Sequence, residues 1–201
     1  MAATESRMLK LGTAAPEFTL ADAYGKKHSL GDARGFDAVV VMFICNHCPF
    51  VKHVRREIAR IGKDYALRNV AVFAINSNDP VTHPGDNAES MKREIAAWSY
   101  TFPYLVDSDQ TVAKGYDAAC TPDFYVFDRN LRLAYRGQLD DSRPSNDIAV
   151  TGADLRGALD AIIAGKRVSD QQRPSIGCNI KWKPGNEPDW YNQERSEKPG
   201  T

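Results

Sequence analysis

The chain has 201 residues, 42% of them hydrophobic and 26% charged, with 26 basic and 26 acidic side chains. That length suits one domain with a substantial core, and the balanced charge gives no global field toward nucleic acid or an anionic membrane. No apolar run reaches the ~18–20 residues of a bilayer span, and four cysteines are too few for a disulfide-dense scaffold.

Met1 to Lys10 has no apolar core of the kind a signal peptide carries, so a cytoplasmic setting is the expectation. From Leu11 to Leu30, Ala15-Pro16-Glu17-Phe18-Thr19-Leu20 and the turn Tyr24-Gly25-Lys26-Lys27 predict a short hairpin. Ala38 to Ile44 is almost wholly apolar, as a strand covered on both faces should be. Pro49 follows, and Val51, Val54, Ile58 and Ile61 then recur at helical spacing. This predicts an amphipathic helix whose first turn holds a cysteine pair, with Lys52, Arg55, Arg56 and Arg60 on a solvated side. Asn69 to Ile75 reads as a second buried strand, Asn76 to Asn87 as a loop, and Ala88 to Trp98 as a helix. A short strand at Tyr104 to Val106 and a brief helix near Thr111 to Tyr116 come next. Phe124 to Asp128 and Leu131 to Arg136 flank Arg129-Asn130 as an antiparallel hairpin. Thr151 with Asp154 predicts a capping box for a last helix, and Gly165 its end. From Val168 onward Pro, Gly and charge predict a tail across the surface, with disorder in its last residues. Buried strands alternating with helices define one α/β domain.

The sharpest feature is Cys45-Asn46-His47-Cys48-Pro49, directly after a buried strand and at the opening of a helix. A Cys-x-x-Cys pair closes a small disulfide ring and so cycles between dithiol and disulfide. The helix amino terminus offers free N–H groups and positive potential that favour a thiolate, the attacking species. With the first cysteine expected to be exposed, Cys45 is assigned as nucleophile and Cys48 as resolving thiol. Two readings of His47 stand: a cation stabilising the Cys45 thiolate, or a solvated loop histidine. Zinc sites also use such pairs, but the other cysteines are isolated and His28, His53 and His83 show no ligand spacing, so no metal is expected.

These residues resemble the thioredoxin superfamily, specifically its alkyl hydroperoxide reductase/thiol-specific antioxidant branch. Gly12-x-x-Ala15-Pro16-x-Phe18-x-Leu20 is similar to that branch's opening segment, and Cys120-Thr121-Pro122-Asp123-Phe124 to the segment carrying its cis-proline. With Gly137-Gln138-Leu139-Asp140-Asp141-Ser142-Arg143-Pro144 and Pro174-Ser175-Ile176-Gly177-Cys178-Asn179-Ile180-Lys181-Trp182, the chain resembles the peroxiredoxin-like thioredoxin-family proteins of bacteria. The resemblance, covering about Leu11 to Gly165, implies a thioredoxin-like fold: a central mixed β-sheet with helices on both faces, an N-terminal hairpin and an extended C-terminal tail. Residues 1–10 are then an extension, 11–167 the domain and 168–201 the tail. It also implies a cis Thr121–Pro122 bond facing the dithiol, with the Thr121 backbone open to an incoming peptide. The peroxiredoxin segment Pro-x-x-x-Thr-x-x-Cys does not fit. Its threonine position is Cys45 counted back from Cys48, and Met42 counted from Cys45. The buried acid that many thioredoxins carry six residues before the first cysteine is Val39 here, and the usual preceding Trp is Ile44.

Cys120 and Cys178 are candidates for further redox thiols or for inert packing residues. Arg143 is a candidate thiolate stabiliser or a surface ion-pair residue, and Trp182 and Trp190 are expected to pack the tail onto the body. The expected activity is thiol–disulfide exchange without a bound cofactor. The expected partners are a disulfide-containing protein or small molecule and a thiol electron donor, with no nucleic acid and no membrane. A thiol peroxidase and a non-catalytic metal-binding or scaffold protein are the alternatives.

Overall fold

The computed structural model describes residues 3–191. Its central element is a seven-stranded sheet built from β2 (Thr19–Asp22), β3 (Lys27–Ser29), β4 (Ala38–Phe43), β5 (Val70–Asn76), β6 (Tyr104–Val106), β8 (Asp123–Asp128) and β9 (Leu133–Gly137), in the order β3-β2-β6-β5-β4-β8-β9. β4, β5 and β6 run parallel, whereas β8 and β9 on one side and β2 and β3 on the other pair antiparallel. The sheet is therefore mixed. Parallel neighbours need a crossover, and α1 (Pro49–Ala66) and α2 (Ala88–Trp98) supply the two.

The period-2 geometry of strands divides the core into two layers. Val40, Met42, Val72, Ala74, Phe124 and Val126 pack on one face with α1, α2 and α4 (Ala153–Ile163). Val39, Val41, Phe43, Phe73, Tyr125 and Phe127 pack on the other with α3 (Thr111–Gly115) and the flanking segments. Every residue of β4 and β5 is buried, which is why those stretches read as continuous apolar runs. On α1 the stripe Val51, Val54, Ile58, Ile61 and Tyr65 faces the sheet. Glu57 is buried among them and paired with Arg156 at 2.7 Å and Arg60 at 3.2 Å. Arg55 departs from the expected solvated side, lying 4.3 Å over the Trp98 ring and pairing with Glu94.

Two expectations about the ends of the molecule change. The capping box at α4 does not form: Gly152, in the left-handed region at φ 69°, is the cap residue. The Thr151 and Gly152 N–H groups donate instead to Asp140 Oδ2 at 2.7 and 2.6 Å, while Asp154 accepts from Gln138. The buried Asp140 thus fixes the entry to α4, while the first-turn N–H groups of Asp154 and Leu155 donate to the Leu139 carbonyl at 3.2 Å. The tail is also not a surface strap throughout. β10 (Ile176–Asn179) lies between β1 (Ala3–Glu5) and β7 (Cys120–Thr121) in a second, three-stranded antiparallel sheet. Cys178, Ile180 and Trp182 are buried there, and Trp190 meets Trp182 edge-on at 6.4 Å. The expectation of terminal disorder falls on 192–201, outside the described residues.

Candidate functional site: a buried cluster of thiols

The chain leaves β4 at Phe43 and enters α1 at Pro49, so the pair lies in the connection, not in the first helical turn. Cys48 is the cap residue of α1 and Pro49 its first position, where a missing N–H costs nothing. Both sulfurs sit on Thr121: Cys45 Sγ is 3.3 Å from the Thr121 hydroxyl, and Cys48 Sγ is 3.1 Å from the Thr121 carbonyl. The Thr121–Pro122 peptide bond is cis. Cys45 is only 1% exposed and Cys48 fully covered, so the expectation of an exposed first cysteine is corrected. The tail strand contributes to the cover over Cys48: its Cys178 neighbours that sulfur and stands directly opposite Thr121 in the antiparallel register.

That strand also takes the backbone edge expected to receive a peptide. Gly177 packs so closely that a Cβ there would fall 2.0 Å from the Thr121 carbonyl oxygen. The Ser175 hydroxyl donates to the Pro122 carbonyl at 2.5 Å, and Asn78 Oδ1 accepts from the Lys181 N–H at 2.8 Å. The segment Pro174 to Trp182 therefore has a physical role, as the built-in neighbour of the Thr121 strand.

Of the three thiols in the cluster, Cys48 is the one whose surroundings favour the charged form. Its thiol is held well below the ordinary range by the neighbouring Cys178 and Cys45 thiols, which outweigh burial with help from the Val51 and Cys178 N–H groups. The Thr121 carbonyl opposes this, accepting the Cys48 proton while it is present. The two neighbouring thiols, helped by the N–H groups and the positive end of α1, win that competition. Cys45 is pushed well up, by its interaction with Cys48, by burial and by the negative Asp86, against which the Thr121 hydroxyl is a lesser influence. Cys178 is pushed up by its contact with Cys48 and by burial. Where order in the sequence points to Cys45 as the thiolate, the contacts of Cys48 with the Cys178 and Cys45 thiols favour charge on Cys48.

His47 is held, not solvated: its Nδ1 lies 2.6 Å from Asp86 Oδ2, its ring stacks on His83 at 5.2 Å, and its buried Nε2 has no hydrogen-bond partner. Asp86, a residue the sequence reading passed over as loop, is the hub of this side of the site. Its buried carboxylate accepts from the Asn46 N–H at 2.8 Å and from Asn78 Nδ2 at 2.7 Å as well as pairing with His47. Burial raises its pKa, but these bonds and the His47 charge outweigh it and leave the carboxyl below its usual value. Tyr104 Oη completes the support, donating toward Ile44 O at 3.2 Å and Asn46 Oδ1 at 3.1 Å. Cys45, His47 and Asp86 are the one set of three ligand-type side chains among the described residues whose donor atoms all lie within 4.8 Å of one another.

Other candidates lie apart. Cys120 is fully buried, its thiol directed at the Pro122 and Ser175 carbonyls at 3.7 and 4.0 Å and pushed well up by burial. Arg143 directs its guanidinium to Gln138 and to the carbonyls of Asp140 and Ser142, within its own loop. His53 meets the Ser142 hydroxyl at 2.6 Å and His28 meets Asp22 at 3.0 Å, both away from the sulfurs.

A mixed sheet flanked by helices, with a Cys-x-x-Cys pair between β4 and α1 against a Thr-Pro turn, defines a thioredoxin-like protein. The structural neighbours agree: the thioredoxin domain of a thiol-disulfide oxidoreductase from Bacteroides vulgatus superposes with TM-score 0.60 at 17% identity, over 77% of this chain and 99% of that one. Residues 11–136 match the model of the AhpC/TSA family, and the chain belongs to that family. Among curated proteins it is similar to the thiol-disulfide oxidoreductase ResA of Geobacillus kaustophilus, 27% identical over 130 residues, which is 63% of this chain and 68% of that protein. Two solved structures are much more similar. One is an uncharacterized conserved protein of Geobacillus kaustophilus (TM-score 0.90, 55% identity, 92% of this chain and 98% of that one). The other is a hypothetical protein of Sinorhizobium meliloti (TM-score 0.89, 50% identity, 90% and 100%). No helix among the described residues is long and apolar enough to cross a membrane.

Proposed function

We propose that this chain is a thiol–disulfide oxidoreductase whose Cys45–Cys48 pair is its redox centre. The observation that carries the reading is the meeting of both sulfurs on Thr121 at the mouth of α1. The Cys48 thiolate attacks one sulfur of a substrate disulfide, and the other sulfur leaves with the electron pair and takes a proton. Cys45, once deprotonated, attacks Cys48 in the mixed disulfide, releasing the second substrate thiol and leaving a Cys45–Cys48 disulfide. A thiol donor then restores the dithiol. The name of the ResA relative supports this chemistry. With both sulfurs covered and the Thr121 edge paired to β10, the attack requires β10 to lift from Cys48, and the substrate approaches as a small disulfide or a protruding loop, not as an added strand.

Dithiol-dependent reduction of a disulfide substrate, followed by insulin turbidity or by thiol release from a small disulfide, tests the reading. Activity that survives Cys48→Ser overturns it. The order of attack is read by trapping: Cys45→Ser should accumulate a mixed disulfide on Cys48, whereas accumulation only in Cys48→Ser returns the nucleophile to Cys45.

A second reading, metal holding, is favoured by the convergence of Cys45, His47 and Asp86. Stoichiometric zinc in protein purified without chelator, lost on Cys45→Ser, would establish it.

A further inference from the structure

The functional reading uses two of the four thiols and leaves Cys178 idle, although the fold invests heavily in placing it. Gly177 removes the side chain that would strike Thr121, Ser175 ties the strand to the Pro122 carbonyl, and the register sets Cys178 across from Thr121. Thr121 is the residue both Cys45 and Cys48 rest on, and Cys178 shares their buried cluster. Of the remaining two thiols, Cys120 points at carbonyl oxygens, whereas Cys178 neighbours the Cys48 sulfur. A strand laid antiparallel beside Thr121 with a cysteine at the reacting sulfur is the arrangement a bound substrate peptide would have, supplied here by the chain itself.

We infer that Cys178 is a third redox-active thiol, exchanging with the Cys45–Cys48 disulfide to form a Cys48–Cys178 disulfide. This rests on the proposed oxidoreductase reading for the origin of the oxidised pair. In the step, deprotonated Cys178 attacks the Cys48 sulfur of the Cys45–Cys48 disulfide. The Cys178–Cys48 bond forms, the Cys45–Cys48 bond breaks, and the electron pair passes to Cys45, which takes up the proton that Cys178 gave up. One disulfide and one thiol are present before and after, so no further oxidant or reductant is needed. The exchange moves the oxidising equivalent from the helix mouth to the tail strand and regenerates a free Cys45.

The test uses the full chain, reduced and then oxidised with glutathione disulfide, acid-quenched, alkylated and digested with trypsin without reduction. Cys45 and Cys48 lie on one tryptic peptide and Cys178 on another, so the proposed bond joins two peptides while the Cys45–Cys48 bond joins none. Wild type should yield both the internally bonded peptide and the joined pair. Cys45→Ser should convert almost wholly to the joined pair, and both Cys48→Ser and Cys178→Ala should lose it. Alkylation of both Cys48 and Cys178 in Cys45→Ser, or glutathione retained on Cys48, under conditions that oxidise wild type, overturns the inference. So does the absence of the joined pair from oxidised wild type, which needs no variant to fold. Disulfide turnover measured on the same wild-type sample separates the two claims. Turnover without joined peptides removes only the role of Cys178, and joined peptides without turnover remove only the oxidoreductase reading.

Discussion

Replacing Asp86 by Asn keeps the shape of the hub and removes its charge. Three donors converge on the carboxylate at 2.6–2.8 Å, two of them on Oδ2. An amide offers one carbonyl oxygen and one NH2, so at least one donor must face another donor. A buried donor left without a partner costs about 1–3 kcal/mol, and the lost bonds are charge-assisted and stronger than neutral ones, so D86N should destabilise the fold by about 2–4 kcal/mol. The folded pKa of Asp86 lies below the ordinary 3.8, so its contribution is fully present above 3.8 and is lost as pH falls through the folded value. The gap between wild type and D86N, measured by urea unfolding, should therefore hold steady through neutral pH and close in strong acid. D86N should also lower the Cys45 thiol, because one of the influences holding it up is the Asp86 charge. A deficit under about 0.5 kcal/mol, which is within ordinary surface-substitution scatter, would refute the hub, as would a deficit that persists unchanged in acid.

The tail and another buried acid give further tests. Gly177→Ala should push β10 away from Thr121, costing about 1–3 kcal/mol as overpacking does, and should speed the reaction of Cys45 and Cys48 with a chromogenic disulfide; an unchanged rate would show that β10 does not guard them. Cys178→Ala in a Cys45→Ser background should raise the Cys48 thiol, because the Cys178 contact is the largest influence holding it down; thiolate ultraviolet absorbance against pH reads the shift. Asp123 is fully buried, its Oδ1 has no partner, and burial pushes its carboxyl well above 3.8. A carboxyl raised on folding costs stability progressively as pH rises above 3.8. Asp123→Asn, still able to accept from the Tyr125 hydroxyl, should gain on wild type with rising pH in a thermal melt, and equal stability at acid and neutral pH would contradict this.

How much of this was legible in the sequence follows from where each signal resides. β4, α1, α2 and β6 announce themselves because continuous apolar runs and helical spacing are local consequences of burial. The cysteine pair is legible for the same reason, since its chemistry is carried by adjacent residues. Asp86 is not: its role arises from Asn46, His47 and Asn78 converging in space, and in sequence it is one acid in a polar loop. β10 is likewise hidden, four residues holding a glycine and an asparagine, whose strand form depends on two partners more than fifty residues away. The burial of Cys45 is hidden for the same reason, because the groups around it, Thr121 and Asp86, come from distant parts of the chain.

The order of the chain gives this arrangement a consequence in time. β10 follows the central strands, so a polypeptide still emerging from the ribosome can assemble β4, α1 and β8 before Gly177 and Cys178 have been made. Through that interval the Thr121 edge is unpaired and Cys48 has no third sulfur beside it. Fragments cut short before Ile176 would keep that edge open to any passing strand and leave Cys48 without its tail neighbour.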